Sequence, residues 1–285
     1  MNIAGKLFTS SLGKKFVMAV SGGVLCLFVV GHMIGNLQIF LPPEAINRYA
    51  RFLQSNLELL WPVRIVMLTL VVLHVWSAVQ LSLENNAARP VGYANATPYA
   101  ASYASRTMLV TGLVVAAFVL YHLLHYTLRV ETVNGASVPF SALKDPQTGH
   151  NDVYAMMIAG FRVNWVAVFY LIGVGLLCFH LSHGLAAMFQ SLGLKNHVYG
   201  PCIDKGSKVI ALVLFLGYAS IPTAVMLGHG QEYLNQVAAH AVAGSGAAVP
   251  AALVQPPARL PVDPASGTLA GTDAGEDTRG TQEAK

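Results

Sequence analysis

Five continuous apolar runs dominate the chain, at about Phe16–Leu41, Pro62–Leu83, Thr107–Leu128, Trp165–Phe189 and Lys208–Gly228. Each reaches the length of about 20 residues that a helix needs to cross a hydrocarbon core of about 30 Å. Ten-residue segments of alternating polarity, the signature of a membrane β-barrel, are absent. The pattern predicts an all-α integral membrane protein built as a five-transmembrane-helix bundle. No internal repeat stands out along the runs. The stretch from Arg129 to Asn164 is long and mixed in polarity, and is expected to fold over the outer surface of the bundle. From about Ala238 the chain becomes rich in Ala, Pro, Gly and Thr and ends GTDAGEDTRGTQEAK. Such a segment holds too little apolar surface to pack and is expected to be disordered. The expected division is a membrane domain over 1–229 and a C-terminal tail over 230–285.

Composition agrees with this picture. Of 285 residues, 54% are hydrophobic and 11% are charged, where a soluble domain carries about 25% charged residues. The mean hydropathy is +0.54. The net charge of +4 comes from Lys and Arg scattered near the ends of the runs, where topology signals belong. No basic stripe with interleaved aromatics points to nucleic acid. With the N-terminus inside, the inner side holds Lys6, Lys14, Lys15, Arg89, Arg106, Lys195, Lys205 and Lys208. The outer side then holds Arg48, Arg51, Arg64, Arg129, Lys144 and Arg162. The first run has the clearest asymmetry, so the N-terminus is expected inside. Trp61, Trp165, Tyr121 and Tyr126 then fall near the outer interface, and Tyr99 and Tyr103 near the inner one. The first run is too long for a signal-peptide core and no small-residue cleavage site ends it.

Histidines bring in the chemistry. His32, His74, His122 and His180 lie on the first four runs, one each, with His125 and His183 three residues beyond the last two. At about 1.5 Å per residue, His32 and His122 stand about 24 and 22 Å from the inner edge, and His74 and His180 about 14 Å. The depths therefore pair His32 with His122 and His74 with His180, about 10 Å apart in height. A single membrane histidine serves an interhelical hydrogen bond as readily as a ligand role. Four at paired depths point instead to two bis-histidine haems, because imidazole is the usual holder of haem iron. With both axial positions filled, electron transfer is favoured over oxygen chemistry. His125 and His183 are competing ligands, or partners for haem propionates. His150, His197, His229 and His240 fall in loops or the tail and read as solvated. Cys26, Cys178 and Cys202 show no CxxC or CxxCH spacing, so any haem is b-type and non-covalent. Gly22, Gly23, Gly31 and Gly35 on the first run, and Gly173, Gly175 and Gly184 on the fourth, would let helices or a flat ligand approach closely.

Several classes drop out. No Asp or Glu lies within the five runs, against a proton-coupled transporter, and no broken-helix pair stands out. No GxGxxG after a strand, P-loop or Ser–His–Asp pattern is present. The chain therefore carries no flavin or nucleotide domain, and needs a soluble partner to exchange electrons with.

At this point a family resemblance enters. SSLGKKFVMAVSGGVLCLFVVGHMIGNL (Ser10–Leu37), NRYARFLQSN (Asn47–Asn56), NDVYAMMIAGF (Asn151–Phe161) and FHLSHGLAAMFQSLGL (Phe179–Leu194) resemble the cytochrome b558-type membrane subunit of succinate dehydrogenase or fumarate reductase. The similarity runs from about Lys6 to Gly228. It implies a five-helix anchor in a bacterial-type inner membrane, N-terminus cytoplasmic, holding two haem b groups. The implied axial ligands are His32, His74, His122 and His180. An aromatic residue before the third ligand matches Tyr121–His122 and favours His122 over His125. The FHxS pattern likewise favours His180 over His183. The implied partners are a flavoprotein and an iron–sulfur subunit on the cytoplasmic face, with membrane quinone as substrate. Some dihaem fumarate reductases similar to this chain carry a glutamate beside the fourth-helix ligand, where this chain has Leu176, Leu177 and Cys178. Quinone reduction takes up protons, and Glu58 and Arg64 are candidates for that site, though interfacial snorkelling explains both as well. Arg106 and Lys208 are candidate propionate partners, or simply inner-side topology charges. The rival expectations are a cytochrome b of a hydrogenase or formate dehydrogenase, and a haem-free anchor or transporter.

Overall fold

The computed structural model describes residues 3–88, 107–136, 138–145 and 147–245. Arg89, Tyr99, Tyr103, Arg106, the His240 side chain and residues 246–285 lie outside the described set. The described chain is helical throughout, with α1 (Ile3–Thr9), α2 (Ser11–Asn36), α3 (Pro43–Ser55), α4 (Leu57–Ala87), α5 (Met108–His122), α6 (Glu131–Asn134), α7 (Val153–Phe161), α8 (Asn164–Ser191), α9 (Gly200–Met226) and α10 (Gln231–Ser245). A 3-10 turn over Leu37–Phe40 extends α2, and a π turn over Leu123–Thr127 extends α5. Five of these helices are long and apolar enough to cross a membrane, namely α2, α4, α5, α8 and α9. This is a multi-pass membrane protein.

The spanning helices overrun the apolar runs. Hydropathy marks where a helix meets lipid, while its backbone hydrogen bonds begin and end at caps. Ser10 caps α2, its Oγ accepting from Gly13 N at 3.0 Å, an oxygen the first-turn amides need. Helix α4 runs on to Ala87. There Glu84 accepts hydrogen bonds from Ser11 Oγ at 2.8 Å and from the buried Lys14 ammonium. Helix α9 starts at Gly200 with Pro201 in its first turn, where a missing N–H does no harm. Lys195 bonds Asp204 at 2.6 Å across the turn between α8 and α9.

Packing order gives the architecture. Helix α2 packs against α4 and α8, α8 against α5, and α5 against α4. These four close into a ring in which α2 faces α5 across one diagonal and α4 faces α8 across the other. Helix α9 lies outside the ring against α8 and α2.

One end of the ring is capped by α3, α6, α7 and α10. The long segment expected over the surface lies there, and its helix α7 is buried at every residue from Tyr154 to Phe161. Asp152, fully buried, anchors it. Its Oδ1 accepts from Ala155 N at 2.8 Å and Asn47 Nδ2 at 2.9 Å, and its Oδ2 from the Tyr233 hydroxyl at 2.7 Å. Asn47 Oδ1 accepts from Tyr154 N at 3.0 Å. The boundary at 230 needs correcting, because Gln231–Ser245 forms a helix. Leu234 and Val237 share one face of it, buried against α7. That amphipathic face disappears when composition is averaged over the whole tail.

Burial first, then the hydrogen bond to Asp152, raises the Tyr233 phenol above its ordinary value of 10.0. The unfolded chain releases this proton at about pH 10 while the folded chain keeps it, so the stabilisation is present below that pH and is lost above it. Thermal melts in detergent are expected to show a falling Tm above about pH 10 that Tyr233→Phe makes shallower. An unchanged slope in the variant would remove this role.

Candidate functional site

The ring diagonals carry the histidines. His32 on α2 faces His122 at the end of α5, with ring centroids 5.7 Å apart and planes at 81°. His74 on α4 faces His180 on α8, with centroids 6.3 Å apart and planes at 77°. The pairing expected from helical rise is the pairing in the structure. A metal bound between two imidazoles through nitrogens at about 2 Å separates their centroids by about 6 Å. Both pairs stand at that spacing. All four residues are half-buried.

Three of the four rings are oriented through Nδ1. His74 Nδ1 lies 3.1 Å from Met18 O and 3.3 Å from Ser21 Oγ. His180 Nδ1 lies 3.4 Å from Thr111 Oγ1, and His122 Nδ1 3.3 Å from the Tyr170 hydroxyl. Each arrangement leaves Nε2 as the free ligating atom, the usual way a neighbouring group fixes a metal-binding histidine. His32 is instead held by ring packing, stacked on Phe28 with centroids 5.4 Å apart and beside Tyr218 at 6.4 Å.

Glycine makes room for the His74 and His180 rings. A Cβ on Gly22 would stand 2.8 Å from His74 Cε1, and one on Gly112 would stand 3.2 Å from His180 Cε1. Gly22 precedes His32 by ten residues, and Gly112 precedes His122 by ten. On both helices the two pairs are thus about 15 Å apart along the axis. That exceeds the 10 Å expected from sequence, which measured depths from the ends of apolar runs rather than from shared contacts. Ser21–Gly22 and Thr111–Gly112 therefore play the same part on diagonal helices, a repeat the hydropathy pattern hides. Its signal in the chain is a hydroxyl residue eleven positions and a glycine ten positions before His32 and again before His122. Ser21, Thr111, Tyr170 and Gly112 were not singled out from sequence.

The remaining candidates fall elsewhere. His125 is fully buried in the π turn. Its Nδ1 lies 2.9 Å from the Tyr170 hydroxyl, and its ring sits among Tyr121, Tyr126, Phe140 and Tyr170. Its buried Nε2 has no hydrogen-bond partner among the described residues. His183 lies near the Lys195–Asp204 pair. Glu58 is exposed in the first turn of α4, where a carboxylate suits the helix dipole. No contact among the described residues joins it to the histidine pairs. Arg64 stacks on Trp61 at 5.5 Å, and Lys208 is exposed. His229 is not simply solvated, because its Nε2 lies 3.0 Å from Ile39 O and 3.3 Å from the Tyr154 hydroxyl.

Of the glycines marked for a flat ligand, several serve side-chain packing: Gly23 meets Met188, Gly35 meets Tyr49 and Gly173 meets Phe118, while nothing approaches Gly31.

Among the described residues no three His, Cys, Asp or Glu side chains converge to hold a bare metal ion. Two opposed imidazoles on each diagonal fit an ion whose other ligands come from a macrocycle, as in a haem. Compared with known proteins, the chain matches no family model, no curated protein and no solved structure.

Proposed function

We propose that this chain is the dihaem cytochrome b membrane anchor of a succinate dehydrogenase or fumarate reductase complex, linking a soluble iron–sulfur subunit to membrane quinone. The observation that carries the proposal is the pair of opposed histidines on each diagonal, at 5.7 and 6.3 Å. His32 and His122 would hold one haem b and His74 and His180 the other, each through Nε2. Bound haem supplies one-electron carriage with no open iron position. Ser21, Thr111 and Tyr170 hold the rings in the orientation that keeps Nε2 free, and Phe28 and Tyr218 fence His32.

The choice among membrane dehydrogenases rests on the resemblance of the four sequence blocks. It implies a flavoprotein and an iron–sulfur partner on the cytoplasmic face of a bacterial-type inner membrane. The end of the ring away from the cap carries α1 and the Lys14–Glu84 and Lys195–Asp204 pairs, and offers that docking side. Glu58 stays a candidate proton donor for quinone, and Glu58→Gln with unchanged quinone turnover would remove it.

An affinity tag on the chain tests the proposal. The complex drawn from membranes is expected to contain a flavoprotein and an iron–sulfur protein and to reduce quinone with succinate, or fumarate with quinol. Hydrogenase or formate dehydrogenase activity in its place would refute the assignment. Gly22→Val, which crowds His74, is expected to remove one haem of two from the purified chain. Retention of both would show that the Gly22 contact is not needed for that site.

A further inference from the structure

At the capped end, α3 and the segment beside the Lys144–Asn151 bridge form a cavity of about 230 Å³ lined by Arg51, Gln54, Ser55, His150 and Asn151. Arg51 is half-buried and forms no ion pair among the described residues. Asp145, beside Lys144, accepts at Oδ1 from Gln147 N at 2.9 Å and Thr148 N at 3.2 Å, and Asp152, beside Asn151, is engaged by Ala155, Asn47 and Tyr233. Glu44, earlier on α3, lies toward Tyr233. Asn151 Oδ1 accepts from the Lys144 ammonium at 2.7 Å, which leaves the Asn151 amide N–H groups for the cavity. The Ser55 hydroxyl donates to Arg51 O at 2.7 Å and so offers its lone pairs rather than its proton. The lining thus holds one cation and the Asn151 amide donor with no carboxylate among its residues, and a phosphate suits that inventory.

Its position supplies the source of the phosphate. Ser55 ends α3 two residues before Leu57 opens the spanning helix α4. Phe52 and Leu57, beside the cavity in the chain, are 56% and 57% exposed. A cationic polar pocket beside uncovered apolar side chains, at the mouth of a membrane span, is the arrangement that meets a phospholipid. We propose that this pocket binds the phosphate of a membrane lipid headgroup, with Arg51 as its cation and Asn151 and His150 as further contacts, the lipid chains running down past Phe52 and Leu57.

Native mass spectrometry of the full detergent-purified chain with added dioleoyl phosphatidylglycerol tests this. The wild-type chain and Arg48→Gln, an exposed neighbour on α3 outside the cavity, are expected to hold a lipid that Arg51→Gln binds roughly tenfold more weakly. If Arg51→Gln fails to fold, His150→Gln at an exposed position is expected to show a weakening in the same direction. Equal lipid binding by folded Arg51→Gln and wild type would overturn the proposal. So would a wild-type chain that takes up inorganic phosphate but retains no phosphatidylglycerol, since the site would then serve a soluble anion.

Discussion

His122→Ala is expected to purify with one haem instead of two, keeping the haem between His74 and His180. The remaining pair is about 15 Å away along the helices and takes its support from Gly22, Ser21, Gly112 and Thr111 rather than from His122. Among the described residues His125 is the histidine placed to substitute, and three features hold it back. Its Nδ1 is bound to Tyr170 at 2.9 Å, its ring is packed among aromatics, and the π turn removes it from the α-helical register of His122. His125→Ala is accordingly expected to keep both haems. Pyridine haemochrome assay of the two variants checks this. One haem in His125→Ala and two in His122→Ala would transfer the ligand role to His125.

The second large effect lies outside the pairs. Asp152→Ala is expected to destabilise the capped end by about 3–5 kcal/mol, because it removes a helix cap and strands donors on the buried Asn47 and the half-buried Tyr233. Asn47 and Asp152 come from segments 105 residues apart in the chain, and Tyr233 joins them from α10. Their junction holds α3, α7 and α10 together. A fall in Tm of roughly 10 °C in detergent is the expected reading. Asp152→Asn, which keeps an acceptor for Ala155 N, is expected to lose less. A melt of Asp152→Ala within a degree of wild type would show the network to be incidental.

The contrast between these two predictions marks what the chain discloses locally. The five spans and the pairing of the four histidines follow from run length and rise per residue, both properties of a single helix. The capping assembly depends on contacts between distant segments, and no window of sequence around Asp152 contains Asn47 or Tyr233. Helix α10 escaped because Leu234 and Val237 form one apolar face in an otherwise low-complexity stretch. The helix ends at Ala87 and Gly200 escaped because polar groups that pair with one another, such as Lys14 with Glu84, let a helix continue past the lipid boundary. The supports of the histidine rings sit between these cases. Ser21–Gly22 and Thr111–Gly112 are visible as a ten-residue offset, but the offset acquires meaning only when α4 and α8 are known to lie beside them.

The central claim is that each diagonal holds one haem. The most direct test is the haem content of the purified wild-type chain, with a redox titration of its reduced-minus-oxidised visible spectrum. Two b-type haems per chain with two midpoint potentials are predicted, each lost singly with its own histidine pair. A purified, folded chain with no haem absorption would contradict the account, leaving the opposed histidines as interhelical contacts of a membrane anchor.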